Sequence, residues 1–183
     1  MNKKEQAQAH WIQSSLARFE SQLIRYTYRI TRDLEQAREV VQETFLKLWQ
    51  ADRSQVDGHL AEWLYTVCRN GALDLRRKDK RMVPLSNGAE TSEVEAQDTE
   101  PSASEKLEAH EEKSQVLKAF GSLPEKQQEV LRLKFQGGLS YAEIARVTGL
   151  SVSNVGYIIH TGVQALRARM APDTVMEGVS HES

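Results

Sequence analysis

Three groups of residues in this chain have types and spacings that suit recognition chemistry. The first is Ser151, Val152, Ser153, Asn154, Gly156 and Tyr157, the outward positions at the start of a short helix within LSYAEIARVTGLSVSNVGYIIH. Hydroxyls and amides there can donate to base edges and phosphates, and asparagine pairs well with adenine. The second is Arg69, Arg76, Arg77, Lys78, Lys80 and Arg81, with Trp63 and Tyr65 just upstream. Cations follow phosphates, and aromatic rings stack on unpaired bases. The third is REVVQETFLKLWQ, where Glu39, Gln42 and Glu43 share a face with Leu46 and Trp49 and could form one side of a helix-in-groove contact. All three also have plain structural readings, the first as the polar exposed face of an ordinary helical hairpin. A cationic helix end is favoured by the macrodipole alone, and the third stretch is an ordinary core helix by its period.

The elements that must position these residues are helical. Ile12, Leu16, Phe19, Leu23, Tyr26 and Ile30 recur at steps of four and three, the stripe of an amphipathic helix. Asp33 is placed to cap a second helix, with Leu34, Ala37, Val41, Phe45 and Leu48 as its stripe. ADRSQVDGH reads as a break with a turn at Asp57-Gly58. Leu60, Leu64, Val67, Gly71 and Leu75 line a third helix. No stretch sustains the alternation of a strand. Residues 83–113 are rich in Ser, Ala and Glu and nearly devoid of large apolar side chains, so they read as a flexible acidic linker.

Beyond the linker, Ser122 and Glu125 have capping-box spacing around Pro124. Val130, Leu131 and Leu133 form an apolar face, and Gly137-Gly138 ends that helix. Ser140 and Glu143 make a second capping box, Gly149 sits where a tight turn needs positive φ, and Ser151 can cap the next helix. Ala145 permits a close crossing, and Val155, Ile158, Ile159 and Val163 face inward. This is the outline of a helix-turn-helix. The tail after Pro172 is polar and expected to fray.

Bulk properties narrow the classes. The chain has 183 residues and a net charge of −2, so any basic surface is local and offset by acidic sequence elsewhere. The single cysteine, Cys68, excludes an intrachain disulfide, and the five histidines are scattered, so no metal is expected. Enzyme chemistry finds no support: there is no glycine-rich phosphate loop, nucleophile elbow or metal motif, and no cofactor is expected. No apolar run approaches the roughly 20 residues of a membrane span, and MNKKEQAQAHW lacks the apolar core of a signal peptide. The expected location is cytoplasmic.

The order of the pieces adds more. QETFLKLW, then WLYTVCRNGALDLRRKDKR, an acidic stretch, LPEKQQEVLRLKFQGGLSYAEIA and GLSVSNV together resemble the extracytoplasmic-function (ECF) sigma factors of bacterial RNA polymerase. The resemblance covers nearly the whole chain apart from its ends. It implies an all-α fold of two small helical domains. These are a region 2 helical bundle at residues 8–82 and a region 4 helix-turn-helix at 114–171, joined by the linker at 83–113. It implies promoter recognition without catalysis, the polymerase core (β′ clamp helices and β flap) and promoter DNA as partners, an anti-sigma factor as a further partner, and no small-molecule substrate.

Residue by residue, the resemblance implies that Gln42, Glu43 and Leu46 touch the clamp helices. Trp63, Arg69, Asn70, Arg76 and Arg77 would open and read the −10 element, and the loop Ala51 to His59 would capture a flipped-out base. The helix from Ser151 to His160, including Val152, Ser153, Asn154, Gly156 and Tyr157, would read the −35 element. Arg132, Lys134 and Arg146 would touch phosphates nearby, and the acidic linker would mimic RNA in the polymerase channel. One departure stands out: the stretch Gly156 to Gly162 has no basic side chain where relatives often carry a Lys-Ser-Arg run, and none follows until Arg167. Two other functions fit parts of the chain: a stand-alone helix-turn-helix regulator binding a palindrome as a dimer, and a helical adaptor without DNA contacts.

Overall fold

The computed structural model describes residues 3–82 and 115–170, and every regular element among them is helical. The linker and tail expectations fall on residues 83–114 and 171–183, outside the described residues.

The first half is built from α1 (Lys3–Thr31), α2 (Leu34–Gln50), a one-turn α3 (Arg53–Val56) and α4 (Leu60–Met82). The apolar stripes converge as their spacing requires: Leu23, Leu48 and Leu64 are fully buried, with Phe19, Val41 and Phe45 nearly so. Arg32, at φ 61, turns the chain out of α1. Asp33 then caps α2, its carboxylate accepting from the Gln36 amide at 2.9 Å. The expected break separates α2 from α4 at residues 51–59, with a 3-10 turn at Asp57–His59, and it also holds the short helix α3, capped by Asp52, with Val56 buried. Asp57 accepts from the Trp11 indole at 3.2 Å and pairs with Arg53, which also lies over the Trp11 ring. Trp11, 46 positions upstream of Asp57, ties this turn to α1.

The second half contains α5 (residues 115–121), α6 (Glu125–Phe135), α7 (Tyr141–Thr148) and α8 (Val152–Met170). Val130, Leu131, Leu133, Ile144, Val155, Ile158 and Ile159 form its core. Both bonds of the Ser140–Glu143 capping box are present, and Gly149 ends α7 at φ 75, where a Cβ would be strained. Ser151 Oγ accepts from the Asn154 amide at 3.2 Å. The box expected at Ser122 and Glu125 does not form. Ser122 instead donates to the Ala119 carbonyl at 2.7 Å, closing α5, and Gln128 Nε2 donates to the Gly121 and Leu123 carbonyls. A helix end just upstream claims the hydroxyl, and Pro124 occupies the N-cap position without a side-chain bond.

The halves pack against each other along α4 and α7, and one cluster of buried residues runs through both. Tyr65 on α4 is 2% exposed; its ring meets Tyr26 edge-on at 5.1 Å. It also lies over Gly137, where an added Cβ would sit 3.0 Å from the ring and 2.8 Å from the Leu133 carbonyl.

Candidate nucleic-acid interface

The N-terminal part of α8 presents an uninterrupted accessible face. Ser151, Val152, Ser153, Asn154, Tyr157 and His160 are all exposed, Tyr157 at 67%. The helix is aimed by its inner face: Val155, Ile158 and Ile159 are buried, so their neighbours must point outward. Gly156 is half-buried, and a Cβ there would make only ordinary contact with Tyr141, 3.6 Å away. Packing within the chain therefore does not demand this glycine.

The cations expected beside α8 are all engaged. Lys134 Nζ donates to the Leu139 carbonyl at 3.3 Å and lies over the Tyr141 ring. Arg132 stacks over Phe120 and donates to Gln128. Burial, with Arg29 and Arg32 nearby, pushes the Arg132 guanidinium down to about 10, an opposing pull from Glu129 notwithstanding. Arg146 grips Glu62 of α4 with two bonds, Nε at 2.6 Å and Nη2 at 2.8 Å.

On α4 the expected residues separate into two environments. Asn70, Arg76 and Arg77 are exposed, and Arg77 pairs with Asp74 at 2.9 Å. Trp63 is half-buried against the core. Tyr65, read from sequence as an aromatic beside the basic run, is instead a core side chain with no face for a base. Arg69 is turned inward: its Nε donates to Glu129 Oε1 of α6 at 2.8 Å, and the Tyr26 hydroxyl donates to the same oxygen at 2.9 Å. Burial lowers the Arg69 pKa, but the bond and charge of Glu129 outweigh that and hold it above the ordinary value. The same burial, reinforced by Glu129, raises the Tyr26 phenol well above its usual range, so this hydroxyl stays a donor.

Sequence reasoning therefore missed Tyr26, Glu62 and Glu129, the residues that hold the seam. Their partners lie 103, 84 and 60 positions away, and no local pattern marks such pairs. It also missed Arg25 and Arg29 of α1 and Arg32 in the turn after it, whose spacing of four and three did mark a cationic stripe.

The face proposed for protein contact is more distinct in the fold than in the sequence. Gln42 and Glu43 are exposed on α2 beside Leu46 (64% exposed) and Trp49 (48% exposed). Leu46 and Trp49, three positions apart, put two large apolar side chains side by side on the outer face of α2.

No helix among the described residues is long and apolar enough to cross a membrane, and none of their His, Cys, Asp or Glu groups could hold a metal ion as a cluster of three.

Comparison with known proteins gives a consistent result. The family described as Sigma-70 region 2 matches residues 16–82, and Sigma-70, region 4 matches residues 113–166. The ECF RNA polymerase sigma factor SigL of Mycobacterium tuberculosis is 32% identical over 151 residues, spanning 79% of this chain and 80% of the relative. RpoE of Cereibacter sphaeroides, another such factor, is 30% identical over 142 residues, with 74% and 73% covered. SigM of Bacillus subtilis is 28% identical over 146 residues, with 79% and 85% covered.

Proposed function

Because the chain belongs to the ECF sigma factors of the sigma-70 family, we propose that its two halves divide promoter recognition between them while the polymerase makes the bonds. Residues 8–82 act as the region 2 domain, 114–171 as the region 4 domain and 83–113 as the tether. The α2 face of Gln42, Glu43 and Leu46, extended by Trp49, docks on a helical partner of the core enzyme, the β′ clamp helices. Asn70, Arg76 and Arg77 on α4, with Trp63, meet the −10 element, and the capped turn at 52–59 borders the place where an unstacked base is held. Such a base costs a few kcal/mol of lost stacking, which the pocket contacts must offset.

The observation that carries this reading is the polar N-terminal face of α8. Ser151, Ser153, Asn154 and Tyr157 stand exposed after a capped turn, in the position from which a recognition helix reads a major groove. With no basic side chain from Gly156 to Gly162, specificity for the −35 element comes from hydrogen bonds, and phosphate anchoring falls to Arg132, Lys134 and Arg146 around the helix. All three gain freedom only if local contacts change: Arg146 must leave Glu62, Arg132 its stack on Phe120, and Lys134 the Leu139 carbonyl. An anti-sigma factor that competes for these surfaces belongs to the same reading. The family assignment disfavours a stand-alone repressor, which would have no use for the α2 face.

Transcription reconstituted from core polymerase and the purified chain, on promoters located by mapping transcript starts after forced expression, tests the proposal. Initiation at those sites should require the chain. Leu46→Asp should abolish capture of the core enzyme without unfolding the protein, since Leu46 is exposed. Initiation at the mapped starts by core polymerase alone would overturn the reading.

A further inference from the structure

A cleft of about 810 Å³ lies on the seam between the two halves. Its walls are cationic on both sides. Arg25 and Arg29 come from α1 and Arg32 from the turn that follows it, Arg69 and Arg76 from α4, and Lys126 and Arg132 from α6. The carboxylates lining it are Glu125 and Glu129, and both are occupied, by Arg32 at 3.0 Å and Arg69 at 2.8 Å. Arg25, Arg29, Arg76, Lys126 and Arg132 have no carboxylate within ion-pair distance among the described residues. Arg132 shows the electrostatic consequence. It is desolvated beside Arg29 and Arg32, and its proton is held less firmly than an arginine's should be. Gathering like charges in a partly buried space is unfavourable unless an anion joins them.

We propose that this cleft binds a small molecule carrying several linked phosphates, clasped between the α1 and α6 arginines across the seam. Guanidinium forks match phosphate oxygens two at a time, and five unpaired cations exceed what one carboxylate or one orthophosphate can satisfy. The volume suits a ligand of nucleotide size, in the range of roughly 300–1,000 Å³ typical of such sites. The shared chemistry is a chain of phosphates, borne by a nucleoside or bare. Because its donors come from both halves, the ligand fastens α6 to α1 and α4. Any resulting competition with promoter DNA for Arg76 and Arg132 rests on the roles proposed above; the binding itself does not.

The test is isothermal titration of the full chain with inorganic tripolyphosphate, with orthophosphate, ATP, GTP and an oligothymidylate as separate arms. Tripolyphosphate should bind one to one, more tightly than orthophosphate, and weaken steeply with salt. Arg29→Gln combined with Lys126→Gln, both exposed and unpaired, should weaken it by about tenfold or more. Arg38→Gln, on α2 and paired with Glu35, should change nothing. Tighter binding of ATP or GTP than of tripolyphosphate assigns a nucleoside polyphosphate; equal binding assigns the bare chain. Absence of saturable binding, or equal binding by the Arg29/Lys126 variant, overturns the proposal. So does an oligothymidylate that outcompetes tripolyphosphate through the same two residues, which would make the cleft a nucleic-acid track. Ligand-free transcription with core polymerase is unaffected by any of these results, so the two readings fail separately.

Discussion

Replacing Glu129 by Ala should loosen the seam between the halves by an amount that can be worked from its surroundings. The carboxylate accepts from Arg69 at 2.8 Å and from Tyr26 at 2.9 Å, and the Arg69 and Glu129 side chains are 22% and 23% exposed. At an effective dielectric near 20, unit charges about 4 Å apart attract by about 4 kcal/mol. Withdrawing both ions from water offsets about half of that, leaving a coupling of about 2 kcal/mol. Glu129→Ala alone should cost more, about 3 kcal/mol, because it strands the guanidinium and the buried phenol together. Urea unfolding of wild type, Arg69→Ala, Glu129→Ala and the double variant, followed by circular dichroism, closes the cycle. A coupling below about 0.5 kcal/mol would refute the reasoning, since that is the level at which unconnected sites behave additively.

Three further outcomes follow from single residues. Ser140→Ala should destabilise the second half by about 1 kcal/mol in urea. Hydrogen bonds from Ser140 hold the Glu143 carboxyl below its usual pKa, so its contribution is present above the unfolded-state value and lost as pH falls through the lower folded value. The difference between wild type and Ser140→Ala should accordingly shrink on acidification, and a constant difference would contradict it. Gly149→Ala should cost about 1–2 kcal/mol because its φ is 75, whereas Gly156→Ala, in ordinary contact with Tyr141, should gain up to about 1 kcal/mol of helix stability; thermal melts of both distinguish strain from simple propensity. Cys68 is fully buried beside Thr44, and burial pushes its thiol up to about 11, so iodoacetamide should leave the native protein unlabelled near neutral pH and label it in urea.

The helices of this chain were legible because their signals are local. The step of three and four through Ile12, Phe19 and Leu23, the cap at Asp33, the box at Ser140–Glu143 and the glycine at 149 each act within one or two turns, and each forms as its spacing requires. Two readings failed for different reasons: the carbonyl of Ala119, at the end of the preceding helix, claims the hydroxyl of Ser122, and distant Tyr26 and Gly137 take Tyr65 into the core. The outward face of α8 was readable by the same period, since its inner residues are apolar. The fate of Arg69 and Arg146 was not, because a cationic side chain written beside a helix end carries no mark of the carboxylate that will meet it from the other half.

The seat of Tyr65 over Gly137 has a consequence for how such chains can be recombined. A chimera that joined this first half to a second half bearing a side chain at the glycine's place would press a methyl group into the phenol ring, besides the Leu133 carbonyl and Leu139 within that second half. Exchange of modules therefore depends in part on one aromatic and one glycine travelling together.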